Sequence, residues 1–439
     1  MNIHSGRVLP GRLPRGVTGG ANLAWYGLAI FTFFFITARL PELFTEFGIY
    51  LALLGLMVRP QGVGFPAPAR WAVVFLLWAL VTALFAISPA TAWQASIDRL
   101  KALVIFFVVV NTVRTPQQLR FYILLILVAF VIWPARGTLK NYVTGNTLFG
   151  RAIWNKMYKN SNDLGAITLL MLGLALSIAT VKTQSARVRR AAAALVPVTL
   201  LIIALTQSRG TFLGLLVGFG PPLLARLRKR PSAMAPVLIA LAVIAVLVPA
   251  ASWHRIGSIT RLTSIQTNAE APKDGRPPAA QDRVEGLALT SARQRFDILK
   301  TGLHIAASHP ILGVGVGCYR EANARYAPEL GEHDAHNTYL SLAAEMGLPG
   351  LLLWLGLVGS VLSHVRRRRA DLESDVGTVQ VVWIERAVIG FLVAGFFASY
   401  AGVTVFYLFL GTLWAASNVL GRDATERSAP PARRAVQAR

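Results

Sequence analysis

The sequence predicts an all-α polytopic membrane protein with about twelve transmembrane helices. Hydrophobic residues make up 54% of its 439 residues, and 15% are charged, whereas a soluble domain carries about 25% charged residues. Apolar runs of roughly 17 to 25 residues recur along the chain, and such runs can cross a hydrocarbon core. These long runs favour helices over the short alternating strands of a membrane β-barrel. A helix also satisfies its own backbone hydrogen bonds in lipid.

The first apolar run follows a basic N-terminal stretch and is too long for a signal-peptide core, so we interpret it as a retained membrane helix. We divide the chain into residues 1–252 with the first nine spans, a polar loop region 253–336, the last three spans in 337–420 and a tail 421–439. The predicted spans are 22–38, 45–58, 71–87, 100–113, 121–134, 163–181, 192–206, 211–225, 234–251, 337–363, 380–400 and 403–419.

Basic residues recur in every second loop of this arrangement, as the positive-inside rule requires. Arg187–Arg190, Arg226–Arg230 and Arg366–Arg369 all fall in loops of one set. We therefore expect both termini in the cytoplasm and residues 253–335 in the periplasm. The net charge of +24 does not indicate a nucleic-acid partner, because the bases are divided among many short loops. The single cysteine, Cys318, allows no intramolecular disulfide.

Several basic residues lie in loops that this topology places outside, where the positive-inside rule disfavours them. An anionic substrate would account for them, and arginine offers a planar fork for phosphate. For the loop lysines, snorkelling to lipid headgroups is the favoured explanation. Arg209 is the strongest candidate because it lies between two apolar spans, where a charge is costly. The outer-loop bases are Arg136, Lys140, Arg151, Lys156, Lys159, Arg209, Arg293 and Arg295.

His336 opens the tenth predicted span. An imidazole has an unperturbed pKa of about 6.5 and can accept a proton at neutral pH. Asp334 and Glu332 could orient it, or the histidine could simply cap the helix. A metal site of His333, Asp334 and His336 is less favoured, because a catalytic metal usually takes three ligands from a rigid frame. The sequence thus leaves a general base and a helix cap as the main interpretations.

The second half of the loop region predicts two local structures. Residues 291–307 are expected to form an amphipathic helix with Phe296, Leu299, Leu303 and Ile305 on one face. The glycines of segment 309–317 predict a tight turn. They do not indicate a dinucleotide site, because no strand–turn–helix unit surrounds them.

Four short motifs occur in order along the chain. They are Asn160-Ser161-Asn162-Asp163-Leu164, Thr206-Gln207-Ser208-Arg209-Gly210, Pro310-Ile311-Leu312-Gly313-Val314-Gly315, and His336-Asn337-Thr338-Tyr339-Leu340 followed by Glu345, Gly347 and Gly350. Together they resemble the O-antigen ligase and polymerase superfamily, over roughly residues 150 to 420. In that family an arginine lies about four residues before a tryptophan, upstream of the Pro-Gly turn. Leu299 stands in the place of that tryptophan, which makes Arg295 the matching arginine and keeps Arg293 as an alternative.

The resemblance implies a glycosyltransferase that needs neither metal nor other cofactor. Its donor would be a glycan on undecaprenyl pyrophosphate at the periplasmic face of the bacterial inner membrane. Arg209 and Arg295 would stabilise the leaving group, and His336 would be the general base for an inverting attack. Substrate-binding roles are expected for Arg293, Arg151, Lys159, Arg136, Asn337, Tyr339 and Asp334.

Within the family three acceptors compete. Lipid A-core, the acceptor of a ligase, is favoured because the long outer loop precedes the last spans and carries the histidine. A polymerase would use another repeat unit. A protein O-oligosaccharyltransferase usually carries an extra C-terminal domain, which the short tail 421–439 does not predict. A transporter of anionic lipid or glycan is a different class, and it would need bases deep within several spans.

Overall fold

The computed structural model describes residues 19–39, 41–58, 63–181, 184–229, 280–371 and 375–428. Its regular elements in these ranges are helices, which confirms the predicted all-α class. The α-helices are α1 Gly19–Thr37, α2 Glu42–Val58, α3 Ala67–Leu84, α4 Pro89–Thr112, α5 Pro116–Phe130, α6 Arg136–Val143, α7 Ser161–Ala179, α8 Ala186–Thr206, α9 Arg209–Lys229, α10 Ala280–Ser308, α11 Tyr319–Tyr326, α12 Thr338–Asp371, α13 Asp375–Ala394 and α14 Thr404–Ser428.

Within the described residues, eight helical stretches are long and apolar enough to cross a membrane. They are α3, α5 continued through α6, α7, α8, α9, α12, α13 and α14, and α1 adds a shorter apolar helix over Asn22–Thr37. Helix α2 has only 17 residues, and α4 carries Asp98, Arg99 and Lys101. The predicted span 234–251 lies outside the described residues. The count of about twelve spans therefore stays a prediction.

Helix α5 shows how local sequence sets the helix boundaries. Pro116 is pre-organised for the first turn, and Thr115 and Gln118 form a reciprocal capping box before it. At the other end, Pro134 has no backbone N–H to continue the helical ladder. The chain passes it in a π-helical turn, Val131–Ala135, and re-enters an α-helix as α6.

Close helix packing at the centre depends on small residues. Helix α9 places Gly214 and Gly218 against α13. A Cβ atom on Gly218 would lie 2.6 Å from the carbonyl oxygen of Arg386, and one on Gly214 would overlap the carbonyl of Gly390. Small residues let helix backbones approach closely, which is how helices associate in lipid. Helix α7, with most of its residues buried, packs between α8 and α13.

Hydrogen bonds gather several helix ends at one end of the bundle, which we call the site end. The Tyr158 hydroxyl donates to the carbonyl of Ile36 at 3.0 Å, beside the end of α1. The amide of Ala152 donates to the carbonyl of Leu205 at 3.0 Å, at the end of α8. The run Arg366–Arg369 near the end of α12 belongs to the opposite end.

The predicted amphipathic helix is confirmed as a helix, and it is longer than expected because α10 spans Ala280–Ser308. Its predicted apolar face was wrong in part. Phe296 and Leu303 are exposed, whereas Ile298 and Ile305 are buried. The i, i+7 spacing of these isoleucines lies on one side of the helix, and this side packs against α12.

Candidate active site

The segment around His336 is fixed by its neighbours in sequence. Asn337 caps α12, because its side-chain oxygen accepts from the amides of Tyr339 at 3.0 Å and Leu340 at 3.1 Å. The interpretation of His336 as a helix cap was therefore wrong. His336 has a φ of 48°, in the left-handed region that few residues other than glycine adopt. The backbone thus turns sharply just before α12, and the half-buried imidazole lies at that turn.

Thr338 anchors the start of α12 to the segment after α13. Its amide donates to the carbonyl of Gly395 at 2.7 Å, and its hydroxyl donates to the carbonyl of Ala398 at 2.7 Å. The same hydroxyl accepts from the amide of Tyr400 at 2.8 Å. Three bonds from one residue make the position of His336 dependent on two helix ends, α12 and α13.

Tyr339 lies in the framework of this region. Its hydroxyl donates to the carbonyl of Leu392 at 2.8 Å, and its ring packs on Phe396 with centroids 4.3 Å apart. Asn337 and Tyr339 thus both make bonds within the protein. A substrate contact by either residue would come in addition to this structural role.

The electrostatic environment of His336 favours a neutral imidazole. Burial lowers the pKa of His336 below its ordinary value of 6.5, and the nearby Arg295 guanidinium lowers it further. Asp334 opposes this by raising the pKa, and His333 adds to the lowering. A neutral imidazole at neutral pH can accept a proton. The side-chain amide of Gln294 lies 3.0 Å from the His333 ring and so joins α10, which carries Arg295, to the segment before α12.

Arg151 ties together two of the motifs singled out in the sequence. Its Nε donates to the carbonyl of Thr206 at 2.8 Å, and its Nη2 donates to Oδ1 of Asn162 at 2.7 Å. The residue is 8% exposed. The side-chain amide of Gln207 donates in turn to the carbonyl of Gly150 at 3.1 Å. Arg151 is thus a buried brace that holds the end of α8, and with it the adjacent Arg209, in place.

Tyr400 extends this brace to the segment that anchors Thr338. Its hydroxyl donates to the carbonyl of Asn162 at 3.0 Å. Burial raises the pKa of Tyr400 well above 10, and the Asp163 carboxylate nearby raises it further, so the hydroxyl keeps its proton. Asp163 also lies within electrostatic range of Asp334. Neither Asp163 nor Tyr400 was among the site residues predicted from the sequence, although Asp163 belongs to the motif that begins at Asn160.

The glycine turn and the Glu345–Gly350 segment form one structural unit. The amides of Val314 and Gly315 donate to the carbonyls of Ala344 and Glu345, both at 2.9 Å, and the amide of Gly317 donates to Oε2 of Glu345 at 2.9 Å. Gly347 has a φ of 67° and kinks α12. The predicted tight turn is confirmed, and its function is to seat the loop on this kink.

Glu345 makes this contact from a buried position. Its carboxylate accepts from the Ser341 hydroxyl at 3.0 Å and lies 3.7 Å from Nη2 of Arg99 on α4. Both charged side chains are almost fully buried, at 10% exposure for Arg99 and 8% for Glu345. Arg99 was not predicted from the sequence, and its contact with Glu345 adds a second helix, α4, to this unit.

Residues 192–355 match the family model described as O-antigen ligase. The chain carries an O-antigen ligase domain. The match runs from α8 into the kinked part of α12 and includes Arg209, Arg295 and His336. No curated protein matches the chain. The resemblance seen in the sequence is thereby confirmed over residues 192–355, and the apolar helices indicate a multi-pass membrane protein.

Two candidate arginines of the O-antigen ligase domain are less buried than Arg151. Arg209 begins α9 and is half-buried, and Arg295 is exposed on α10. Both make contacts within the protein. The side chain of Arg293 lies outside the described residues.

Of the remaining predicted residues, Arg136 and Lys159 precede the O-antigen ligase domain in the sequence, and Asp334 lies within it. Arg136, Lys159 and Asp334 are exposed. Lys156 forms an ion pair with Glu42 at 3.2 Å, so a carboxylate of the protein compensates the charge of this lysine. Among the described residues, no three side chains of histidine, cysteine, aspartate or glutamate are grouped so that they could hold a metal ion.

Proposed function

We propose that this protein is a metal-independent O-antigen ligase that transfers a glycan from undecaprenyl pyrophosphate to lipid A-core at the periplasmic face of the bacterial inner membrane. The observation that carries the proposal is His336, a half-buried imidazole whose pKa is lowered by burial and by Arg295. Such a group can accept a proton at neutral pH. The family match over residues 192–355 supports the substrate class.

In the proposed reaction, a hydroxyl of the acceptor attacks the anomeric carbon of the donor glycan. The new carbon–oxygen bond forms as the bond to the pyrophosphate oxygen breaks, and the bonding electrons leave with the pyrophosphate. His336 takes the hydroxyl proton. A single direct displacement inverts the anomeric centre, and no covalent bond between glycan and enzyme forms.

The leaving pyrophosphate gains negative charge during this step. Arg209 and Arg295 would stabilise it, because preorganised donors at a developing anion contribute most to catalysis in a water-poor site. A guanidinium keeps its charge and offers two parallel N–H donors to phosphate oxygens. Arg209 also lies at the N-terminus of α9, where the helix dipole favours an anion.

The surrounding residues would recruit and orient the donor. We assign the exposed Arg136 and Lys159 to the first electrostatic attraction of the pyrophosphate, and Arg293 to the same role on α10. Arg151 would act through Arg209 as a positioning residue, since its own donors bind Thr206 and Asn162. Asp334 would orient His336, Asn337 and Tyr339 would hold that histidine over the substrate, and Thr338 would anchor the helix start beneath it.

The test is glycan transfer by the purified full chain from a lipid-linked donor. Lipid A-core, donor alone and a serine-containing acceptor protein are offered in separate reactions. We expect product with lipid A-core, and we expect chelators to leave the rate unchanged. Extended glycan chains from donor alone would instead identify a polymerase, and a glycosylated protein would identify a protein O-oligosaccharyltransferase.

Histidine variants test the assigned base. His336→Ala should abolish transfer, while His304→Ala should transfer normally, because His304 is exposed on α10 and packs edge-on against Tyr326. Full activity of His336→Ala would reject the general base. Activity lost in chelator and restored by zinc or magnesium would move His333, Asp334 and His336 to a metal site. Donor movement across vesicles without any transfer product would favour a transporter.

A further inference from the structure

A groove lies at the end of the bundle opposite the candidate active site, between α3, α12 and α14. Its volume is about 390 Å³, within the range of roughly 300–1,000 Å³ that is usual for small-molecule sites. No residue of the proposed active site borders it. The lining residues that matter here are Trp71, Gly359, Ser363, His364, Arg367 and Trp414.

Aromatic rings form the walls of this groove. The His364 ring stacks on Trp414 with centroids 3.9 Å apart and an interplanar angle of 26°. Trp71 lies across from them on α3 and is 40% exposed. It approaches α12 closely because Gly356 has no side chain, and a Cβ atom there would lie 2.6 Å from the indole ring. Tryptophan is enriched where a membrane protein meets lipid headgroups.

The positive charge of the groove comes from arginine. The side-chain amide of Asn418, behind the groove, donates to the carbonyl of Trp414 at 3.0 Å, and its oxygen lies 3.2 Å from Nε2 of His364. Nε2 therefore donates to Asn418, and the His364 ring serves as a wall of the groove. Arg367 is exposed at the rim, within electrostatic range of His364. Among the described side chains, no carboxylate forms an ion pair with Arg367.

The apolar surface beside the groove indicates a lipid and not a soluble anion. Val74 on α3 follows Trp71 by one helical turn and is 47% exposed. Leu352 and Leu355 on α12 precede the groove glycines by one turn and are 63% and 41% exposed. A headgroup in the groove could therefore place its acyl chains along these residues, toward the middle of the bundle.

We propose that this groove binds the headgroup of an anionic glycerophospholipid, with its phosphate beside Arg367 and its acyl chains along Val74, Leu352 and Leu355. Snorkelling of Arg367 alone would need no aromatic-walled groove beside it. Basic pockets between membrane helices commonly hold anionic lipid headgroups. The site is independent of the transfer reaction and lies at the opposite end of the bundle.

Two variants test separately the contribution of the groove's shape and that of the Arg367 charge to lipid binding. Gly359→Phe places a ring in the groove, and the structure has room for it, since nothing lies within 4 Å of a Cβ atom at Gly359. Arg367→Gln removes one exposed charge without filling space. Arg120→Gln is the matched control, because Arg120 is an exposed arginine in the first turns of α5 at the same end of the bundle.

The measurement is native mass spectrometry of the purified full chain titrated with phosphatidylglycerol, phosphatidylcholine or inorganic phosphate. We expect one phosphatidylglycerol to bind more tightly than phosphatidylcholine and to be lost in Gly359→Phe. Arg367→Gln should bind it about fivefold more weakly, since one base near a membrane surface contributes about that factor. Arg120→Gln should bind it as the wild type does.

Three results would overturn the proposal. They are equal binding of phosphatidylcholine, binding of inorganic phosphate as tight as that of the lipid, and wild-type lipid binding by Arg367→Gln. If Gly359→Phe does not fold, Arg367→Gln decides alone, because its side chain is exposed. Unchanged lipid binding by a folded Gly359→Phe would also reject the groove as the site.

Discussion

The kink of α12 at Gly347 should be intolerant of any side chain. Gly347 has a φ of 67° and a ψ of −179°, a combination that only glycine adopts readily. A Cβ atom there would overlap the carbonyl oxygen of Ile311 and lie 2.8 Å from that of Pro310. Both contacts are with backbone, which cannot swing aside as a flexible side chain can. We therefore expect Gly347→Ala to push the glycine turn away from α12.

The size of the effect follows from what this movement breaks. The backbone strain alone costs of order 1–3 kcal/mol. The bond from the amide of Leu348 to Pro310, at 2.8 Å, and the bond from Gly315 to Glu345, at 2.9 Å, contribute about 1 kcal/mol each. The total of about 3–5 kcal/mol is a large part of the roughly 5–15 kcal/mol that stabilises a typical protein.

The assay is the apparent melting temperature in detergent at one fixed heating rate, followed by the transfer assay. Gly347→Ala should melt at least about 5 °C lower and should lose transfer, because the kinked segment leads to His336. Gly359→Ala is the matched control in the same helix, since a Cβ atom there meets nothing within 4 Å. An unchanged melting temperature for Gly347→Ala would refute the claim that the contacts between the glycine turn and the kink of α12 stabilise the protein.

Three further predictions concern the catalytic groups and the topology. Arg209→Lys keeps the charge but loses the planar fork, so transfer should fall by about 10²–10³ at normal protein level. Arg325→Lys, at an exposed arginine of α11, should transfer normally, and equal activity of the two variants would contradict the assignment of Arg209 to the pyrophosphate. If neutral His336 is the working form, wild-type activity should persist on acidification to below pH 6.5 before it falls, because its pKa is lowered. Arg295→Gln removes a lowering influence, so the midpoint of its residual pH–rate profile should move upward, and an unmoved midpoint would contradict the assignment. A reporter fused at Ser264, which lies outside the described residues, should be active only as a periplasmic reporter; cytoplasmic activity would overturn the predicted topology.

The sequence predicted the motifs better than the partners of their residues. Arg151 was interpreted as a loop base facing substrate, because nothing in its neighbourhood indicates burial. Its two acceptors lie 55 and 11 positions away along the chain, and only the packed fold brings them together. The same holds for Arg99, whose partner Glu345 is on another helix. Hydrophobic periodicity predicts which side of a helix is buried, but it does not predict which distant acceptor a buried charge will meet.

The helix cap was missed for a different physical reason. A histidine before an apolar run is compatible with capping, and so is the asparagine that follows it. The choice depends on backbone conformation, since the left-handed φ of His336 turns the chain one residue earlier and gives the cap to Asn337. The structure thereby leaves the imidazole available for chemistry, which the sequence alone could not decide.

The degree of burial separates the arginines that we assign to the framework from those that we assign to catalysis. Arg99 and Arg151 are almost fully buried, and each has protein acceptors or a carboxylate close by. A buried charge without such partners would be very costly, so we assign these two to the framework. Arg209 and Arg295 are more exposed and lie on helices that border His336 or the braced end of α8. An arriving pyrophosphate could displace water from them and strengthen their attraction in the drier site. Positions that water can reach before substrate binds are therefore the ones we assign to catalysis.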